Sequence, residues 1–219
     1  MYHRYSLIYE STNKTTINII LFILYIMPEF IWIDSIKVPI IRIGKGSSKF
    51  YGNLIRSYSK NYDITHVFSY GTSVNLAIWL IFYMSKEFFI NNIIVSWINN
   101  LPSLSFLVHK NITPIDVQPI DIHDGDFYVK FGQNTDISVM KRILCDKTHA
   151  SIITAGSSCS KLLDIIPYLY TVGFVYYNIS IIRTYDNQNK EKAGIKVSII
   201  PYTDEMFAMQ SQTIQENTM

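Results

Sequence analysis

Gly44-Lys45-Gly46-Ser47-Ser48-Lys49 is the stretch of this sequence best suited to hold a phosphate. Two lysines flank a glycine-serine loop, and Gly46 lets the backbone approach a ligand closely. The loop lacks the closing Gly-Lys-[Ser/Thr] of a Walker loop and the third glycine of a dinucleotide loop. The other candidate chemistry is thinner. His3, His66, His109, His123 and His149 have no spacing that suits a metal or a catalytic triad. Asp121, Asp124 and Asp126 surround a turn and read as an acidic turn before they read as an ion site. Cys145 and Cys159 form no CxxC pair and complete no zinc set, so they are expected to be reduced, mostly buried thiols. These residues make no case for catalysis, a metal or a cofactor, and the chain is expected not to be an enzyme.

Binding is better supported. Lys45, Gly46 and Lys49 precede an amphipathic segment, and the N–H groups that open a helix accept phosphate. A glycine turn, Gly71-Thr72-Ser73, adds hydroxyls, and Gly156-Ser157-Ser158 repeats it 85 positions later, with Lys161 one helical turn further on. Such hydroxyls and lysines are the usual partners of phosphate oxygens.

The elements that must position these residues also repeat. Val38–Ile43 reads as a strand, residues 50–62 as an amphipathic helix with Arg56 and Lys60 outward, and His66–Tyr70 as a strand broken by Gly71. Ser73 is expected to cap a helix over 74–89 that is apolar nearly all round from Ala77 to Met84, so more than one of its faces must be buried. Asn92–Ile98 reads as the third strand. A long connection through Pro102 then leads to a fourth, Pro-interrupted edge strand over 112–122. After the turn at 123–126 the pattern restarts. It gives a strand over 127–131, a helix over 137–147, a strand over 149–155 and a helix over 160–172 kinked at Pro167. A strand over 178–185, the polar hairpin 186–192 and a strand over 194–202 complete it. Landmark offsets of 88, 85 and 86 positions mark a duplication. The fold class expected is α/β, as two tandem βαβαββ two-layer sandwiches. The helix at 77–84 supplies the surface for packing them as an internal pseudo-dimer.

The 219 residues are 48% hydrophobic and 16% charged, a composition that folds. Net charge is only +2, so any contact with nucleic acid must come from a local patch. Residues 36–123 carry 8 basic and 4 acidic side chains and residues 124–202 carry 9 and 7, so the basic excess lies in these two segments. Residues 1–35 form an N-terminal extension with an apolar run at 17–33. Its core, Ile17–Ile26, is shorter than the span of about 20 residues that a membrane helix needs. Two readings of it stay open: a signal or anchor segment without a good cleavage site, or an extension upstream of a start at Met27. A membrane role is not expected, and residues 203–219 read as a disordered acidic tail. The cysteine usage points to the cytoplasm or nucleus.

Ile-Gly-Lys-Gly-Ser-Ser-Lys-Phe-Tyr at 43–51 and Gly-Thr-Ser-Val-Asn-Leu-Ala at 71–77, with this order of elements, resemble the Alba family of DNA/RNA-binding proteins. The resemblance covers two domains, 36–123 and 124–202. It implies a βαβαββ sandwich and a dimer or an association with other Alba-like chains. Contact with RNA or DNA would run through the loops and the hairpin between strands three and four. Lys45 matches the first loop lysine of the family, while Gly46 stands where the second would be and Lys49 compensates. Leu76 replaces the helix lysine that Lys161 keeps in the second copy. The second copy has Gln133-Asn134 in place of loop lysines, and its hairpin carries Lys190 and Lys192, against His109 and Lys110 in the first. The basic functions are thus divided between the copies. The expected function is nucleic-acid binding through phosphate with little sequence preference. The alternatives are an RNA-binding subunit of RNase P/MRP type, since Alba-like proteins serve there, or a degenerate copy kept for protein interaction.

Overall fold

The computed structural model describes residues 29–115, 117, 127–145, 147–186 and 188–203. They form a mixed α/β fold of two sheets and four helices. The first sheet comprises β1 (Glu29–Ile33), β2 (Ile36–Ile43), β3 (Ile64–Tyr70), β4 (Phe89–Ile98) and β5 (Leu101–His109), in the order β1-β2-β3-β5-β4. Helix α1 (Ser48–Ser59) joins β2 to β3, and α2 (Val74–Met84) joins β3 to β4. The second sheet has β6 (Tyr128–Lys130), β7 (Ala150–Ala155), β8 (Phe174–Tyr185) and β9 (Glu191–Pro201), in the order β6-β7-β9-β8. Its helices are α3 (Ile137–Leu144) and α4 (Ser158–Ile165), and a 3-10 segment over Ile166–Val172 continues α4 past Pro167. With β1 set aside, element order and strand order are the same in both halves, each with one parallel and two antiparallel strand pairs.

In the first half the helix expected over 74–89 ends at Met84 and the next strand begins at Phe89, and two larger departures from the sequence-based expectation follow. Part of the apolar run assigned to the extension is β1, a hairpin partner of β2. Asp34 and Ser35 make the turn, both at positive φ (47° and 69°), the geometry of a tight two-residue hairpin. The fourth strand is Leu101–His109, not 112–122. Asn99 and Asn100, again both at positive φ, turn β4 directly into β5, and Pro102 sits near the strand start, where a missing N–H costs little. His109 and Lys110 therefore lie at the end of β5 remote from its hairpin turn. Residues 110–115 contain no strand. The expectations for residues 1–28, for the acidic turn at 121–126 and for the tail beyond 203 lie outside the described residues.

Alternation in β3, β5, β7 and β9 buries one face of each sheet. Val67, Leu104, Phe106 and Val108 line the first, and Ile152, Ile195, Val197 and Ile199 the second. A single hydrophobic cluster joins both sets. Helix α2 explains the continuity: it packs on β3 and β5 of its own sheet and on β8, β9 and α4 of the other half. Seven of its eleven residues are buried, and Trp79 and Tyr83, stacked 4.9 Å apart, face outward. The two-sided contact is the physical reason for its all-round apolar sequence.

Equivalent residues meet across the junction. Asn75 Oδ1 accepts the backbone N–H of Ser160 at 2.8 Å, and Asn75 Nδ2 donates to Ser160 Oγ at 2.9 Å. These residues are 85 positions apart, the spacing of Gly71 and Gly156. Each half's hairpin also reaches the other half's second helical segment: Trp97 Nε1 donates to the Leu163 carbonyl at 2.9 Å, and the Arg183 guanidinium lies 6.0 Å from the Phe82 ring.

Candidate nucleic-acid interface

Parallel strands leave a sheet at the same end. The Ile43–Ser69 pairing therefore sets the loop after β2 beside the Gly71 turn after β3, and the Lys130–Ile153 pairing does the same for the loop after β6 and the Gly156 turn. The bonds from Asn75 to Ser160, with a longer one to the Ser157 carbonyl at 3.4 Å, bring both pairs of loops together. The β8–β9 hairpin joins them, because the Gly156 N–H donates to the Ala193 carbonyl at 3.2 Å and so places Lys192 next to the turn.

The first loop is held from inside. The Gly44 N–H donates to the Tyr51 hydroxyl at 2.7 Å, and a Cβ on Gly46 would stand 2.7 Å from the Tyr51 ring, so that position accepts only glycine without rearrangement. Ser47 caps α1 by accepting the Phe50 N–H at 3.2 Å. Lys45 and Lys49 are exposed, and neither has a hydrogen-bond or ion-pair partner among the described residues. In the adjacent turn Gly71 has φ +59° with open space around it, and Thr72 is exposed. Ser73 does not cap α2 with its side chain. Its hydroxyl donates to the Tyr70 carbonyl at 2.7 Å and accepts the Tyr70 N–H at 3.1 Å, closing the 3-10 turn over Gly71–Ser73.

The second half spends most of its expected contacts internally. Gly156, at φ +63°, repeats the conformation of Gly71. The Ser157 hydroxyl accepts from Gln133 Nε2 at 2.9 Å, and Ser158 is buried, which takes its hydroxyl away from any ligand at the surface. The Lys161 ammonium donates to the Gln133 carbonyl and lies 6.0 Å from the Phe131 ring. Its charge also helps to hold the Asp136 carboxyl below the usual range, after the larger effect of the hydrogen bond from Ser138. Lys192 pairs with Asp186 at 3.2 Å, and Glu191 takes Lys86 at 3.3 Å. The Asp186 carboxyl is held low chiefly by the backbone N–H of Lys190. The ammonium of Lys190 is exposed and has no partner among the described residues.

All twelve residues singled out in the sequence thus lie at one end of the two sheets, but of these only Lys45, Lys49 and Lys190 offer positive charge without a partner among the described residues. Asn75 and Lys86 shape the surface and were not anticipated, and Gln133 and Asp186, expected only as a lysine replacement and a hairpin residue, turn out to hold Ser157, Lys161 and Lys192. The 88-residue offset sets Gln133 opposite Lys45, and the 85-residue offset pairs Asn75 with Ser160, so the signal for both lay in the repeat spacing. Cys159 is buried, and burial pushes its thiol up to about 12; Cys145, expected to be mostly buried, is exposed at the end of α3. No helix of the described residues is long and apolar enough to cross a membrane. No protein-family model, curated protein or solved structure matches the chain.

Proposed function

We propose that the chain is a tandem Alba-type nucleic-acid-binding protein, its halves packed as an internal pseudo-dimer, that takes RNA or DNA by the phosphates across the loop end. The observation that carries the reading is the pair of unpaired, exposed lysines, Lys45 and Lys49, on a loop braced by Tyr51 beside the Gly71 turn. Thr72 and the N-terminal N–H groups of α1 add neutral donors. Lys190 supplies a third unpaired cation from the second half.

Fluorescence anisotropy with a single-stranded RNA and a duplex DNA of mixed sequence tests the proposal. Neutralising three phosphates of a duplex predicts a loss of roughly 40-fold in affinity between about 50 and 200 mM salt. Lys45→Glu and Lys49→Glu should each weaken binding by about tenfold, uniformly across sequences. Lys161→Glu should do less, because its ammonium is already turned onto the Gln133 carbonyl. Unchanged affinity in both loop variants would sink the site.

A protein-interaction module is the second reading. The engagement of Lys161 and Lys192 by internal partners favours it. Absence of nucleic-acid binding at about 50 mM salt would select it. Recovery of RNase P/MRP-type RNA with the tagged protein would narrow the first reading to that assembly.

A further inference from the structure

The face of the second sheet that turns away from its helices carries a recess that the loop surface does not use. Alternation along β7 and β9 sends Ser151, Ile153, Lys196 and Ser198 to this side, opposite Ile152, Val197 and the rest of the core. Residues Phe127, His149, Ser151, Tyr177, Lys196 and Ser198 enclose a space of about 220 Å³. Its floor is the cross-strand pair Ser151–Ser198. Both residues are more than nine-tenths buried, at 9% and 6% exposure, and neither hydroxyl has a hydrogen-bond partner among the described residues.

One wall is aromatic. Tyr177 is the extra residue of a bulge in β8 between Tyr176 and Asn178, which leaves it unpaired and 62% exposed. Phe127 stands on the opposite side, fixed by the bond from the Ser151 N–H to its carbonyl at 2.9 Å. Positive charge surrounds the opening. Lys196 lines it beside the His149 imidazole, the Lys147 ammonium lies 4.5 Å from the Phe127 ring, and Lys130 faces Lys196 across Ile153 at about 10 Å, two strand spacings away. None of Lys130, Lys196 or His149 has an ion-pair partner among the described residues, and Asp186 and Glu191 belong to the other end of β9.

We propose that this recess binds one nucleotide unit, its phosphate between Lys196 and His149 over the serine hydroxyls and its base against Tyr177. Unpartnered hydroxyls and cations around a small polar floor suit a phosphate, and an exposed ring at its edge suits a base of any identity. The serine floor lies about 17 Å along β7 from the Gly156 turn, and Lys196, level with Ile153, about 10 Å from it. A mononucleotide bound here therefore does not reach the loop lysines, and the proposal stands apart from the loop reading. The same chemistry serves a free nucleotide or one residue of a strand.

Titration of the full chain with uridine monophosphate, followed by amide chemical shifts and calorimetry, tests it. Saturable binding should appear with shifts at Ser151, Tyr177 and Ser198. Lys196→Ala should weaken it by about tenfold. Tyr177→Ala, on an exposed bulge, should weaken uridine monophosphate by at least about fivefold and leave inorganic phosphate unchanged. Lys45→Glu should leave mononucleotide binding intact, which separates this site from the loops. A hexauridylate that binds tenfold or more above the monophosphate, with the same Tyr177 dependence, would assign the site to a strand; equal affinity would assign it to a free nucleotide. No saturable binding up to about 10 mM, or equal affinity in Lys196→Ala and Tyr177→Ala, would overturn the proposal.

Discussion

Tyr51 holds the first loop from two directions, accepting the Gly44 N–H and filling the space a Cβ on Gly46 would need. Gly71 differs: its surroundings are open, and only its positive φ excludes a side chain. The two glycines should therefore answer differently to the same substitution. Gly71→Ala should cost about 1–2 kcal/mol for the left-handed backbone. Gly46→Ala should cost about 1–3 kcal/mol by displacing the buried Tyr51 ring, and under the proposed function it should also weaken RNA binding, because the ring is what braces Lys45. Urea unfolding with anisotropy on the same samples checks both; a stable Gly46→Ala with undiminished binding would contradict the bracing role. At this scale the glycines and loop lysines were legible as residue types in a pattern. The fates of Ser73, Ser157, Ser158 and Lys161 were not, because each is decided by a partner or by burial that becomes adjacent only on folding.

Helix α2 is the element on which both halves depend. Its apolar run announced burial on more than one side, and the second side is supplied by β8, β9 and α4. Asn75 opens this helix and satisfies the Ser160 N–H, one of the N-terminal donors of α4. Asn75→Ala should cost about 1–3 kcal/mol, since it leaves that donor and the Ser160 hydroxyl unmatched. In a double-mutant cycle, Ser160→Ala should recover part of the loss, and strict additivity of the two would argue against a direct coupling. The strand over Leu101–His109 was the main misreading. Pro102 and two serines imitate a connection, while the long-range pairing with β3 and β4 that makes it a central strand has no local signature.

At the scale of the molecule, one hydrophobic cluster spans both sheets, so the halves should unfold together. Tryptophan fluorescence, which reports Trp32, Trp79 and Trp97 in the first half, and far-UV circular dichroism, which reports both halves, should give coincident urea transitions. Two separated transitions would show that the junction is weak. Stability should also depend on pH in a fixed direction. Burial, and for His66 the nearby Arg42 charge, hold His66 and His109 below the ordinary histidine value. The unfolded chain then takes up protons that the folded one refuses, so this stability is complete above about pH 6.5 and falls as pH drops below it. Glu87, held low by its hydrogen bond from Arg56, adds a further loss of the same sign in the carboxylate range. Urea midpoints should fall from pH 7 to 5 in the native sequence and fall less in His66→Gln; an equal fall in both would remove His66 from the account.

What is legible in the chain alone is local: where strands end in glycine, which segments are amphipathic, and that landmarks such as Gly71 and Gly156 recur about 85 positions apart. These follow from backbone sterics and from periodicities of two and 3.6, which act between neighbours in the chain. The tertiary structure decided which cations stay unpaired, which hydroxyls are consumed, and that an asparagine and a serine 85 positions apart seal the junction. It also decided that Lys196, Tyr177 and two serines from three strands share one recess. Those outcomes depend on register and on the approach of distant segments. Charge and hydrogen bonding act through space at a few ångströms, and only the folded chain sets those distances.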